Sequence, residues 1–207
     1  MITVEDEATS VRVAVERDGG PAAQLVLSRY DELADLLGAA DDPDTERWSA
    51  ADAATTFAAQ RMVNAEARLL DTHRFAAWLD GWTDDAVLWV PLTATVHPAE
   101  DQALLLDDRR RLGDRVRWRG ERTAWGQQPP SVTVRTVGTV EAWVSRLAPQ
   151  RLLVRSSLTL VEHRVGAVEV LAGHQVHELV GADLARRTKV IVLPALAVGV
   201  RNISFLL

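Results

Sequence analysis

The sequence predicts an α+β fold, with helices packed on one face of a curved antiparallel sheet. Two observations carry this. Helical apolar spacing is confined to the first half of the domain, and the last third is strand after strand. The turns between those long strands are short, which implies neighbouring antiparallel strands in a meander.

The elements follow in order. Val11, Val13 and Val15 alternate with polar residues, Asp18-Gly19-Gly20-Pro21 is a turn signal, and Leu25 and Leu27 begin a second run, so the start reads as a hairpin. Ser28 then caps a short helix with Leu33, Leu36 and Leu37, ended by Gly38. Asp41-Asp42-Pro43-Asp44 marks an acidic linker. We therefore divide the chain into an appendage, 1–46, and a main domain, 47–207. Ser49 or Asp52 caps a helix to about Leu70, with Met62, Ala65 and Leu69 as its apolar stripe. Phe75, Trp78, Leu79 and Trp82 fall at helical spacing and predict a buried helix face. Ala86 to Leu92 reads as a short strand. Residues 93–131 read as irregular, apart from a short helix in the arginine-dense stretch 107–115. Strands follow over 132–147, 151–165, 167–180, 188–193 and 200–206. Val132, Val134, Val140 and Val144 are expected on one side of the first of them.

Composition narrows the function. The 207 residues hold no cysteine, so this chain forms no disulfide and offers no thiolate ligand or nucleophile. Residues 1–60 carry 13 acids and 4 bases, whereas 61–207 carry 16 acids and 19 bases. Neither part has the basic excess of a nucleic-acid binder. The longest apolar run, Val190 to Val200, is too short for a membrane span and contains Pro194 and Gly199. The N-terminus is acidic where a secretory signal would be basic and then apolar, so the expected compartment is the cytoplasm.

The candidate chemical groups are few. His174, His177 and Glu178 could supply an iron triad, but strand periodicity points His177 away from the other two. Asp71 with His73 could form an acid–base pair inside a cone-shaped fold, and His163 is a further candidate. Otherwise His73 caps a helix and His163 is an ordinary strand residue. His97 is expected to be exposed. The arginines at 109–119 are interleaved with Asp107, Asp108 and Asp114, which favours ion pairs or a polar interface over an anion site. Trp118 and Trp125 beside them favour a partner surface. No Walker A loop, dinucleotide glycine fingerprint or nucleophile elbow is present. No catalytic, cofactor or metal residue is therefore assigned.

Four segments, in order, resemble one family. They are Glu66-Ala67-Arg68-Leu69-Leu70-Asp71 with Trp89-Val90-Pro91-Leu92, then Leu106-Asp107-Asp108-Arg109-Arg110-Arg111-Leu112, then Trp125-Gly126-Gln127-Gln128-Pro129-Pro130-Ser131, and finally Lys189–Leu193 with Arg201–Leu207. Together they are similar to the small (β) subunit of ring-hydroxylating Rieske dioxygenases over about residues 55–207. The resemblance implies a cystatin-like, NTF2-like cone and a structural, non-catalytic subunit. It implies a catalytic α partner carrying the Rieske [2Fe-2S] cluster and the mononuclear iron, assembled with copies of this chain as a three-fold hetero-hexamer. On this basis Asp108, Arg109, Arg115, Trp118, Trp125, Pro129 and Pro130 are expected at subunit contacts. The sequence departs from the family at Leu106, where a tyrosine is usual, and after Ser131. The alternative is a stand-alone isomerase or dehydratase, or a small-ligand-binding module, of the same fold.

Overall fold

A computed structural model describes residues 21–43, 46–93, 97–120 and 129–194, with side chains from Ser28 onward. Helix α1 spans Pro21–Asp41. Strand β1 (Trp48–Ala50) precedes helices α2 (Ala53–Asp71) and α3 (Phe75–Asp80). Strands β2 (Trp82–Pro91) and β3 (Ala103–Asp108) lead to helix α4 (Arg109–Gly120). Strands β4 (Val132–Ser145), β5 (Arg151–Arg164), β6 (Ala167–Val180) and β7 (Ala185–Val192) follow among the described residues, and the strand expected over 200–206 lies outside them.

Among the described residues one seven-stranded sheet has the order β1-β4-β5-β6-β7-β2-β3. The β4–β7 meander is antiparallel, as expected. β2, however, joins β7 in parallel, which places the first long strand beside the last. The inner face carries α2, α3 and α4. Ala59 and Val63 of α2 pack on Ala142, Leu152, Val154 and Leu179, and Trp78, Trp82 and Leu112 pack on Leu88, Leu158, Leu160 and Leu171. The outer face carries α1. These helices on a strongly curved sheet form the expected α+β cone.

Several local expectations are corrected. The first run of the expected hairpin lies outside the described residues, and Leu25 and Leu27 belong to α1 instead of a strand. Proline is favoured at a first helical position, and Pro21 occupies it, followed by Ala22-Ala23-Gln24. Gly38 does not end this helix. Leu33, Leu36, Leu37 and Ala40 instead form one buried stripe against Trp48, Trp143, Leu153 and Val176. The described part of the appendage therefore packs on the sheet. Asp52 caps α2 by accepting the Thr55 amide at 2.7 Å. Trp82 lies on β2, not on the preceding helix. It still meets Trp78 edge-on at 5.2 Å between centroids, so the helical spacing marked a true contact on the wrong element. The segment expected to be irregular holds β3 and the 12-residue α4. The Leu104-Leu105-Leu106 run belongs to the edge strand.

The valines of β4 do not share one face. Register slips by one residue between Gly138 and Val140, where Thr139 has φ 28°. This bulge reverses the alternation. Val132 and Val134 point outward, 60% and 58% exposed, while Val140 and Val144 pack against the inner cluster.

Candidate functional site

The cone interior is where an enzyme of this shape would place its chemistry. Helix α2 turns Val63, Glu66, Ala67 and Leu70 inward. An acid thus sits in an apolar stripe. Its carboxylate accepts from Trp78 Nε1 at 2.9 Å, pairs with Lys189 Nζ at 3.1 Å and lies 3.7 Å from Arg186 Nε. His177 Nε2 contacts it at 2.9 Å. All four ionisable side chains are at most 5% exposed. Arg186 also donates to the Trp78 carbonyl at 2.6 Å. The Gly81 backbone lies so close that a Cβ there would sit 2.5 Å from Arg186 Nη2.

Burial opposes charge on Glu66, but Lys189, Arg186 and His177 outweigh it and hold the carboxyl well below its ordinary range. Burial pushes His177 down, with Glu66 opposing. His177 is therefore neutral and donates through Nε2, leaving Nδ1 buried without a partner. Lys189 and Arg186 are likewise lowered by burial. Each of these ionisable groups is already committed to another member of the cluster.

These shifts set a pH dependence. The unfolded histidine takes up a proton below about pH 6.5, whereas folded His177 resists it. Glu66 adds stability that is present above its unfolded value and lost as pH falls through its depressed folded value. Both therefore make stability fall on acidification. Between pH 6.5 and 5 the expected loss is up to about 1.4 kcal/mol per pH unit from His177. Urea midpoints at pH 7.5, 6 and 5 check this, and His177→Gln should flatten that portion. A flat wild-type profile would contradict it.

The sequence-derived acid–base pair does not assemble. Asp71 accepts from Thr133 Oγ1 at 2.9 Å, from Arg135 Nη1 at 2.5 Å and from the Arg135 amide at 2.8 Å. His73, at φ 56°, sends Nε2 to the Ser131 carbonyl at 3.1 Å and stacks on Phe75. His163 is exposed on the outer face. His97 contacts Asp31 at 3.0 Å, so it is engaged and not merely solvated. The proposed triad is split as strand periodicity requires: His177 meets Glu66 inside, while Glu178 meets Arg151 at 2.6 Å and Arg187 at 3.2 Å. Among the described residues no group of three or more His, Asp or Glu is placed to hold a metal.

The residues expected at contacts scatter into distinct roles. Asp108 Oδ1 accepts the Arg111 amide at 2.7 Å and thus caps α4. Arg115 pairs with Asp107, whose side chain is 4% exposed. Trp118 is 59% exposed, and Pro129 and Pro130 are exposed. Arg109 is half-buried, with no hydrogen-bond partner for its Nε. Trp125 lies outside the described residues. Arg119 lies 4.7 Å above the Phe75 ring, and burial together with Arg135 and Arg115 lowers it to about 10.

The fold is an α+β cone whose described interior is filled by packed aromatic and aliphatic side chains around mutually paired ionisable groups. Residues 65–192 match the family described as ring hydroxylating beta subunit. The chain is 31% identical over 146 residues to the beta subunit of N,N-dimethyl phenylurea N-demethylase from Sphingobium sp. (strain YBL2), covering 67% of this chain and 77% of that one. The benzoate 1,2-dioxygenase beta subunit from Burkholderia mallei ATCC 23344 superposes with TM-score 0.55 and 27% identity, over 70% of this chain and 92% of that one. A structure of naphthalene 1,2-dioxygenase with indole bound gives TM-score 0.62 over 70% and 81% of the two chains, and at 22% identity it supports the fold.

This chain belongs to the ring hydroxylating beta subunit family. It is the non-catalytic subunit of an oxidoreductase complex.

Proposed function

We propose that this chain supports a catalytic α subunit that carries the Rieske [2Fe-2S] cluster and the mononuclear iron. The complex would be a three-fold hetero-hexamer in the cytoplasm, oxidising an aromatic or related cyclic compound with O2 and electrons from separate reductase chains. The observation that favours a scaffold is the interior among the described residues: tryptophan and leucine pack it, and its ionisable groups bind one another. No described helix is long and apolar enough to cross a membrane, which is compatible with this placement. The named relatives include a demethylase subunit and dioxygenase subunits, so the partner's pocket sets substrate and reaction.

Within this reading Arg109, Trp118, Trp125, Pro129 and Pro130 shape subunit contacts. Asp108 and Arg115 hold the helix that presents them. Residues 1–46 form an addition to the domain 47–207, with α1 serving as a cover on its outer face.

The test is affinity purification from the native host, with complex mass, iron and acid-labile sulfide measured on the eluate. A larger partner chain with iron and sulfide is expected. An iron-free homo-oligomer would overturn the reading.

A further inference from the structure

Two surfaces of the molecule, a cleft beside α1 and the exposed face of α4, carry opposite charge. A cleft of about 710 Å³ lies between α1 and the β4–β5 turn. Leu36, Trp48 and Leu147 give it an apolar lining, and Leu147 is 83% exposed. Four acids, Glu32, Asp35, Asp42 and Glu46, stand around it with two arginines, Arg47 and Arg151. Its surplus is therefore two negative charges. On the other side of the sheet, α4 exposes Arg110, Arg111, Arg117 and Trp118 on one helical face with the half-buried Asp114. That face has a surplus of two positive charges and one large exposed ring.

These surfaces cannot meet within one chain. α4 packs through Leu112 and Val116 on the inner cluster, whereas α1 packs through Leu33, Leu36 and Leu37 on the outer one. They can meet between chains. Tryptophan and arginine are the side chains most often found at the energetic centre of interfaces, and an apolar cleft with an acidic rim suits both.

We propose that α4 of one copy docks in the α1 cleft of a second copy, with Trp118 against Leu147 and the arginines against Asp42 and Glu46. The contact is head-to-tail, so each copy offers both a knob and a cleft, and repeated docking closes into a ring if the rotation allows. This deepens the reading of the chain as an assembly subunit by assigning which surfaces join its copies.

The absence of native cysteine makes the test direct. Chains carrying Arg117→Cys and differently tagged chains carrying Leu147→Cys are co-expressed with the α subunit, and the complex is treated with a short bismaleimide. A product containing one chain of each kind is expected. A product from either variant alone, or none from a complex of unchanged mass, would overturn the proposal. Charge exchange gives a second reading. Arg110→Glu with Arg117→Glu should weaken association of the copies roughly tenfold or more, and adding Asp42→Arg with Glu46→Arg should restore it. Lack of restoration would overturn the proposal. A preparation without an iron-bearing partner chain sinks the dioxygenase reading instead, and the cross-link between copies is still read.

Discussion

Glu66→Gln is expected to cost about 3–5 kcal/mol of folding stability, a large share of what a domain of this size has. Glutamine keeps an oxygen for Trp78 Nε1, so one hydrogen bond survives. What disappears is the charge between Lys189 and Arg186, both nearly inaccessible to water. Two cations are then buried with no anion in contact. Lys189→Met should cost much less, because Glu66 keeps Arg186 and His177 and the cluster loses its surplus positive charge. Urea denaturation of both variants checks the asymmetry. A Glu66→Gln loss below about 1 kcal/mol, or a larger loss for Lys189→Met, would show that the cluster does not balance in this way.

Arg115→Met is expected to cost about 2–3 kcal/mol, less than a fully buried pair because Arg115 is 30% exposed. Its loss leaves the Asp107 carboxylate buried at the junction of β3 and α4. The helix that carries Trp118 then loses one of its ties to the sheet edge, while Arg111 keeps the Leu106 carbonyl. Arg109→Ala should change stability by no more than about 0.5 kcal/mol, and its effect should be read in complex mass. The two arginines are thus separated by pairing thermal unfolding with native mass measurement. Equal stability of both variants, with the complex lost in each, would return Arg115 to the contact itself.

Much of the fold was legible because periodicity reports burial. The β4–β7 hairpins are long, and their turns are short and carry glycine or proline, so their number and order could be read. Helix α2 was legible as a helix, but its buried face is Ala59, Val63, Glu66, Ala67 and Leu70 where Met62, Ala65 and Leu69 were expected, and of the two candidate caps it is Asp52 that serves. Contacts between elements far apart in sequence were not legible. Nothing local to Glu66 shows that His177 and Lys189 will arrive from β6 and β7. The available signals were an acid at a position of an apolar stripe and the chain's single lysine within an apolar strand. The Asp71–His73 proximity misled for the same reason: Thr133 and Arg135, some 60 residues away, claim Asp71 first. The split of His177 from Glu178 was legible because strand alternation is a local rule.

The bulge at Thr139 makes β4 a strand in two phases. Before it, even-numbered side chains face solvent, and after it they face the core. A deletion of this one residue would set Val140 directly after Gly138, opposite Ser156 and Ser157 respectively, so both halves would keep their faces and their partners on β5. A deletion elsewhere in β4 would instead be absorbed at the bulge and would turn every residue between the two points to the opposite face. Insertions and deletions are commonly tolerated in loops, but this position inside a strand works as a frame marker. The outward valines are consequently encoded by a counting offset, so changing their hydrophobicity and changing their direction are separate mutational events.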